Sequence, residues 1–263
     1  MPHVNLNGAE LYYEDYKPDA TDGDVERPPA VVLAHGVGGN HAIWFQQIDA
    51  LRQTHRVVTF DHRGFGNSSD PQALGRSAHA QDLLGLLDHL NIEQTALIGQ
   101  SMGGGTCVGL VALAAQRVSS LVLADTLHGI RLPARASEIM QQAQATSSNL
   151  GQIERVLGRR TREEAPAKAT LYRQINSFNA TDRRNLQGDY PQLLGPEELA
   201  ATGIPILFIA GEDDILFPVA AIRDVQARVK GSKWIKMKGV GHSAFYEDPE
   251  NFNRHVQAFL DRP

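Results

Sequence analysis

The stretch Thr95-Ala-Leu-Ile-Gly-Gln-Ser-Met-Gly-Gly-Gly105 places a serine between two apolar segments of the chain. Residues 95–98 predict a buried strand, and residues 106–115, apolar nearly all round, predict a buried helix. A serine at the apex of so sharp a turn is strained, and glycines at 99 and 103 let the strand and the helix pass close together. A bare Gly-x-Ser-x-Gly match can arise by chance, but these flanks argue against chance. We therefore interpret Ser101 as a nucleophile lifted out of a sheet.

Strands and helices alternate over most of the remaining chain. Continuous apolar runs predict further buried strands at residues 30–34 and 56–60, and strands are also predicted at residues 118–124, 204–210 and 232–238. Helical spacing of apolar residues predicts helices at residues 42–51, 77–90, 219–229 and 249–260. An alternating pattern around Asn7-Gly8 predicts an antiparallel hairpin at a sheet edge. The sequence thus predicts an α/β fold: a mostly parallel sheet with helices on both faces and ligands at the carboxyl ends of its strands.

The alternation stops between about residues 126 and 202. This segment is charged, rich in glutamine and helix-prone, and unstructured loops of that length are rare in compact domains. We expect a helical lid over the sheet. The chain is then a single domain, 1–263, with its core at 1–125 and 203–263.

Composition narrows the class of partner. The 263 residues carry a net charge of −5 without a Lys/Arg-rich block, which argues against a nucleic-acid or anionic membrane surface. The one cysteine, Cys107, falls in the predicted buried helix and is expected to be a packed thiol. Without a secretory or membrane-spanning pattern we expect a cytoplasmic protein acting on a small molecule. A homo-oligomer is compatible with the sequence.

A serine hydroxyl needs a base within hydrogen-bond reach, and His242 is the strongest of ten histidines. It follows the last predicted strand in Gly239-Val-Gly-His-Ser243, where two glycines let the loop fold back across the strand ends. His35 and His62 also follow strands, beside turn residues that indicate loop bracing. The remaining histidines are expected to be surface groups: His3, His41, His55, His79, His89, His128 and His255.

Three carboxylates are candidates for orienting that base. Asp214 follows the strand that ends at residue 210, in the order nucleophile, acid, histidine expected for this kind of turn. Its neighbour Asp213 stays open, and so does Asp125, which follows the preceding strand. The amide of Met102, at the positive end of a helix, and an amide of the loop His35–Gly39, at Val37, are the expected donors to an oxyanion.

Five motifs together resemble the α/β-hydrolase superfamily: HGVGGNHAIWFQQ, DHRGFGNS, GQSMGGG, GEDDILFP and GVGHSAFYEDPENFN. The similarity covers nearly the whole chain outside the lid and is strongest to the single-domain esterase, lactonase and cofactor-free haloperoxidase-like branch. It implies an eight-stranded sheet, no cofactor and no metal. It also implies a site made of the triad Ser101, Asp214 and His242, the oxyanion donors Val37 and Met102, and the substrate contacts Trp44, Gly36 and Phe178.

The resemblance favours hydrolysis of small carboxylic esters or lactones through an acyl-enzyme. Two other functions stay open at this point, because the fold alone does not choose among them. One is hydrolysis of a carbon–carbon bond in a ring-fission product. The other is a ligand-sensing or signalling module that retains the triad.

Overall fold

The computed structural model describes residues 2–18 and 28–261, and within them the strands form one eight-stranded sheet. The strands are β1 (His3–Leu6), β2 (Ala9–Tyr16), β3 (Ala30–Ala34), β4 (Arg56–Phe60), β5 (Thr95–Gln100), β6 (Val118–Ala124), β7 (Ile206–Gly211) and β8 (Lys233–Met237). The order across the sheet is β1-β2-β4-β3-β5-β6-β7-β8. The pairs β1–β2 and β2–β4 are antiparallel, and every pair from β3 and β4 onward is parallel. The predicted fold class is confirmed.

The predicted hairpin forms the antiparallel edge. Its turn places Asn7 and Gly8 at φ values of 49° and 77°, which are accessible to Asn and Gly. Beyond this edge β3, β5 and β7 are buried at every residue, as their unbroken apolar runs predict for strands covered on both faces.

Two apolar cores lie on opposite faces of the sheet, because neighbouring strand residues point in opposite directions. Val32 contributes to one core and its neighbour Val31 to the other. The helices are α1 (Phe45–Leu51), α2 (His79–His89), α3 (Met102–Ala114), α4 (Ala134–Ser147), α5 (Gln152–Val156), α6 (Arg159–Glu164), α7 (Pro166–Asn176), α8 (Pro196–Ala201), α9 (Val219–Gln226), α10 (Ala244–Glu247) and α11 (Pro249–Leu260). The first core packs on α2, α3 and α9, and the second packs on α1 and α11.

The predicted helical insertion is present as α4 to α8, between β6 and β7. It packs on both cores: Ala136 of α4 joins the first, and Ile153 of α5 and Tyr172 of α7 join the second. Its action as a lid stays a prediction, as does the assignment of the chain to a single domain.

Cys107 lies fully buried in α3, and burial raises the pKa of its thiol well above the usual range. This agrees with a packed, unreactive thiol. Within residues 2–18 and 28–261, none of the helices has the length and apolar character needed to span a bilayer.

Candidate active site

The turn between β5 and α3 holds Ser101 in a strained conformation, with φ 50° and ψ −119°. Left-handed φ is unfavourable for a non-glycine residue and persists only where its surroundings enforce it. A Cβ on Gly99 would lie 2.7 Å from the carbonyl oxygen of Gly103, and a Cβ on Gly103 would overlap the carbonyl of Ala34. The glycines therefore allow the close strand–helix approach that the sequence predicts.

His242 and Asp214 meet at the carboxyl end of the sheet. The Nδ1 atom of His242 lies 2.9 Å from Oδ2 of Asp214, and both residues are buried. The other carboxylate oxygen of Asp214 accepts the backbone N–H groups of Leu216 and Phe217 at 2.8 and 3.0 Å. Since these amides occupy Oδ1, Oδ2 is left to receive the Nδ1–H of the imidazole.

One hydrogen bond links this pair to the serine turn: Gln100, the residue before Ser101, donates from Nε2 to the carbonyl oxygen of His242 at 2.8 Å. In addition, the ring of Phe217 lies parallel to that of His242, with centroids 5.5 Å apart and an interplanar angle of 13°. Thus the histidine is fixed through its ring nitrogen, its carbonyl and one ring face.

The two alternative acids occupy other environments. Asp213 is exposed, whereas Asp125 is fully buried and accepts the N–H of Gly211 at 2.7 Å and that of Ala244 at 3.1 Å. Burial, reinforced by the nearby charge of Asp214, raises the pKa of Asp125 well above its usual range. Asp125 thus braces the two loops that carry Asp214 and His242, and of the three candidates only Asp214 is bonded to the imidazole.

The loop after β3 runs beside the nucleophile. A Cβ on Gly36 would lie 3.0 Å from the Cβ of Ser101. The loop turns tightly, because Gly39 donates to the carbonyl of Gly36 at 3.0 Å, and Val37 at its tip is partly exposed. Of the predicted donors, Met102 directly follows the serine at the first position of α3, and Val37 follows Gly36 in this loop. Their action as an oxyanion hole stays a prediction.

His35 and His62 brace these loops, as the sequence predicts. Nε2 of His35 accepts the N–H of His62 at 3.0 Å, and Nε2 of His62 lies 2.9 Å from Oγ1 of Thr106. Asp61 adds a third brace by accepting the N–H of His41 at 2.6 Å and that of Asn67 at 2.8 Å.

Two histidines expected at the surface, His55 and His79, are buried, and for these the sequence interpretation was wrong. His128 is half-buried. Helical or loop position did not reveal their burial, which depends on tertiary packing. The sequence does contain a signal that places His128 near the site: it follows the buried strand β6 by four residues and so lies at the carboxyl edge of the sheet.

Glu247 is a further residue that sequence reasoning missed. Its carboxylate accepts the N–H of Gly241 at 2.8 Å, next to His242, and also the N–H of Gly158 at 2.8 Å and the hydroxyl of Thr161 at 2.6 Å. Burial raises the pKa of Glu247, while these donors act in the opposite direction. One carboxylate therefore joins the histidine loop to the helical insertion.

Two tyrosines of the insertion reach the site loops. The hydroxyl of Tyr190 donates to the carbonyl of Met102 at 2.8 Å. A Cβ on Gly38 would lie only 2.5 Å from the hydroxyl oxygen of Tyr172, so this tyrosine packs directly on Gly38. The insertion thus touches both the nucleophile turn and the loop after β3.

The remaining expected substrate contacts lie in contrasting places. Trp44 is fully buried against Phe245, with ring centroids 4.4 Å apart, and Phe178 is largely exposed, at 74%. Substrate contact by either residue stays a prediction. Across the described ranges, no cluster of three or more His, Cys, Asp or Glu side chains has an arrangement suited to a metal ion.

Comparisons with known proteins agree with this architecture. The chain is 29% identical over 247 residues to 3-oxoadipate enol-lactonase 1 of Acinetobacter baylyi, covering 89% of this chain and 90% of the relative. It is 27% identical over 235 residues to esterase YbfF of Escherichia coli, covering 88% and 92% respectively. Among solved structures it superimposes on Est816, an N-acyl homoserine lactone degrading enzyme, with a TM-score of 0.78 and 25% identity over 98% of this chain and 100% of that one.

Residues 29–249 match the family described as alpha/beta hydrolase fold, a span that contains Ser101, Asp214 and His242. The eight-stranded, mostly parallel sheet and the strained serine turn after its fifth strand agree with that family assignment. The chain belongs to the alpha/beta hydrolase fold family.

Proposed function

We propose that this protein is a serine hydrolase of small carboxylic esters or lactones that works through an acyl-enzyme. The observation that carries the proposal is the Asp214–His242 hydrogen bond beside a serine held at positive φ. The relatives named above, an enol-lactonase, an esterase and a lactone-degrading enzyme, support the same reaction class.

The chemistry follows from the positions of the groups. The Ser101 hydroxyl attacks the carbonyl carbon while Nε2 of His242 takes its proton, and Asp214 stabilises the imidazolium that forms. The amides of Met102 and Val37 receive the oxyanion of the tetrahedral intermediate. Its collapse expels the alcohol, which takes the proton back from His242. Water, activated by the same histidine, then attacks the acyl-enzyme and releases the acid and Ser101.

The test is Ser101→Ala with a panel of p-nitrophenyl esters and small lactones. We expect kcat to fall by about four orders of magnitude or more, because both acyl transfer steps need the hydroxyl. We expect a serine-directed phosphonate to label Ser101 in the wild type, as read by peptide mass spectrometry. The matched control, Ser148→Ala at the exposed C-terminal end of α4, keeps wild-type turnover.

Retention of ester turnover by Ser101→Ala contradicts the assignment of the nucleophile. Turnover of ring-fission dienone acids with none of esters or lactones favours carbon–carbon bond cleavage instead. Binding of these compounds without any turnover favours a sensing module.

A further inference from the structure

His128 is held in fixed relation to the nucleophile by one hydroxyl group. Thr126 donates from Oγ1 to the carbonyl oxygen of Ser101 at 2.7 Å, and Oγ1 of Thr126 itself accepts the N–H of His128 at 3.0 Å. Both bonds are buried or partly buried, so the loop after β6 cannot shift without disturbing the serine turn. Thr126 therefore fixes the position of the His128 backbone relative to that of Ser101.

The ring of His128 belongs to an aromatic wall that ends on the candidate base. Its centroid lies 5.1 Å from that of Phe217 at an angle of 69°, and Phe217 in turn stacks on His242. The ring of Tyr190, from the insertion, lies 5.6 Å from that of His128. Phe217 thus contacts both His128 and His242.

His128 differs from its neighbours in exposure. Residues 121–127, 129 and 130 are all buried, whereas His128 keeps accessible surface although its surroundings are dense. The two rings against it, Phe217 and Tyr190, both belong to residues that touch the site: Phe217 stacks on His242, and Tyr190 donates to the carbonyl of Met102. A polar ring in that position has no role in the serine, histidine and aspartate chemistry described above.

The charge state of His128 limits what it can bind. Burial, with repulsion from Arg76 and His242, lowers its pKa to about 4. At neutral pH the ring is therefore uncharged and offers one N–H donor and one nitrogen acceptor. This combination suits hydroxyl and carbonyl oxygens.

We propose that His128 is a specificity-determining residue whose imidazole hydrogen-bonds an uncharged oxygen of the substrate, a hydroxyl or a carbonyl, placed a few bonds from the scissile ester. The proposal rests on ester or lactone hydrolysis at Ser101. The class of substrate it names is hydroxylated or keto esters, in which the second oxygen lies on either the acyl or the alcohol part.

The test compares matched esters by pH-stat titration. Ethyl butyrate is the reference, ethyl 3-hydroxybutyrate and ethyl acetoacetate carry the oxygen on the acyl part, and 2-hydroxyethyl butyrate carries it on the alcohol part. We expect wild-type kcat/KM to favour at least one oxygenated ester over ethyl butyrate by about tenfold, the size of one well-formed hydrogen bond. Which ester is favoured identifies the side of the substrate that His128 contacts.

Variants assign the preference to His128. Both His128→Phe and His128→Leu remove the ring nitrogens, and we expect either to reduce the oxygenated-to-plain ratio of kcat/KM to near one. Because the ratio cancels changes common to all esters, a general loss of packing does not produce this result. His128→Gln, which keeps a donor and an acceptor, should retain at least a third of the preference. The exposed His89→Phe is the matched control and should keep the wild-type ratio.

An unchanged ratio in the Phe and Leu variants overturns the proposal, as does a wild type that hydrolyses all four esters equally well. Failure of the proposed function is a different result: the wild type then turns over none of the esters, Ser101 is not labelled by phosphonate, and the role of His128 falls with it.

Discussion

Asp214 and Asp125 are buried carboxylates at the ends of neighbouring strands, but their hydrogen bonds assign them different roles. Oδ1 of Asp214 accepts hydrogen bonds from two backbone N–H groups, and Oδ2 accepts one from the imidazole of His242. Asp125 receives one amide on each oxygen and no side-chain donor from His242. The number and position of these donors predict how each residue responds to loss of charge.

We expect Asp214→Asn to lower kcat/KM by about four orders of magnitude, the cost measured for the same change in a related triad. The amides of Leu216 and Phe217 hold the side-chain oxygen at the Oδ1 position, so the new NH₂ group must face His242. It then donates to Nδ1, which leaves the proton on Nε2, where a free nitrogen is needed to accept the proton of Ser101. Initial rates on one p-nitrophenyl ester measure the effect.

Asp125→Asn should instead act on stability. Its NH₂ group meets the N–H of either Gly211 or Ala244, and an unsatisfied buried donor costs about 1–3 kcal/mol of the free energy of unfolding. We expect less than a tenfold loss of kcat/KM, and almost none for the exposed Asp213→Asn. Urea unfolding and the same ester assay separate the two effects. A crippled Asp125→Asn enzyme beside a near-normal Asp214→Asn enzyme would reverse our assignment.

The sequence predicted the candidate catalytic residues where they directly follow a predicted strand. Ser101 and Asp214 each follow a buried strand, and His242 follows the half-buried strand β8, so that strand-end placement brought all three to one edge of the sheet. The choice between Asp213 and Asp214 needed coordinates, because a turn of one residue decides which side chain points inward. His128 follows the same strand-end rule, yet its loop position suggested a surface group, since nothing local reports the rings that cover it.

At the scale of elements, Glu247 of α10 couples the histidine loop to the helical insertion. One oxygen binds the amide of Gly241, and the other binds the amide of Gly158 and the hydroxyl of Thr161 at the start of α6. A displacement of the insertion therefore pulls on the residue next to His242. The short helix α10 and the helices of the insertion have only weak hydrophobic periodicity, which explains why their bounds were not predicted. By contrast, the observed bounds of β3, β4, β6 and α11 are the predicted ones.

We expect Glu247→Gln to lower kcat by about tenfold, because its NH₂ group would face a backbone N–H and release either Gly241 or Gly158. Thr161→Val removes only the hydroxyl on the insertion side and is the matched comparison. It should cost about 1 kcal/mol of the free energy of unfolding and less than threefold in kcat. Steady-state kinetics with urea unfolding measure both. Equal kcat in wild type and Glu247→Gln would show that the histidine loop holds its position without this carboxylate.

At the scale of the whole molecule, three buried histidines join the strand ends to the helices. The histidine cluster is His35, His62 and His79, with ring centroids 4.5 Å apart at each step. His35 donates from Nδ1 to the carbonyl of Gly36 at 2.8 Å and accepts on Nε2, so its two bonds require the neutral ring. Burial lowers the pKa of all three, that of His35 to about 4. Asp61 opposes the shift at His35, whereas Arg63 and Arg76 add to it at His79.

This cluster predicts a loss of stability in mild acid. Unfolded histidines bind protons below a pH of about 6.5, while the buried rings stay neutral. Since the unfolded state then binds more protons, the free energy of unfolding falls as the pH decreases from about 6.5 toward 4, by about 1.4 kcal/mol per pH unit for each ring that stays neutral. Above a pH of about 6.5 the cluster adds no pH dependence.

His79→Phe tests the origin of this slope. Among the described residues neither ring nitrogen of His79 has a hydrogen-bond partner, so the substitution removes a titrating group without breaking a hydrogen bond. We expect the variant to be closer to wild type at pH 7.5 than at pH 5, where it should be the more stable protein, with the slope reduced by about 1.4 kcal/mol per pH unit. Urea unfolding at pH 7.5, 6 and 5 measures the slope, with the exposed His89→Phe as control. A slope in His79→Phe equal to that of the wild type would place the acid sensitivity in other groups, because a phenylalanine cannot take up the proton that the unfolded wild type binds in mild acid.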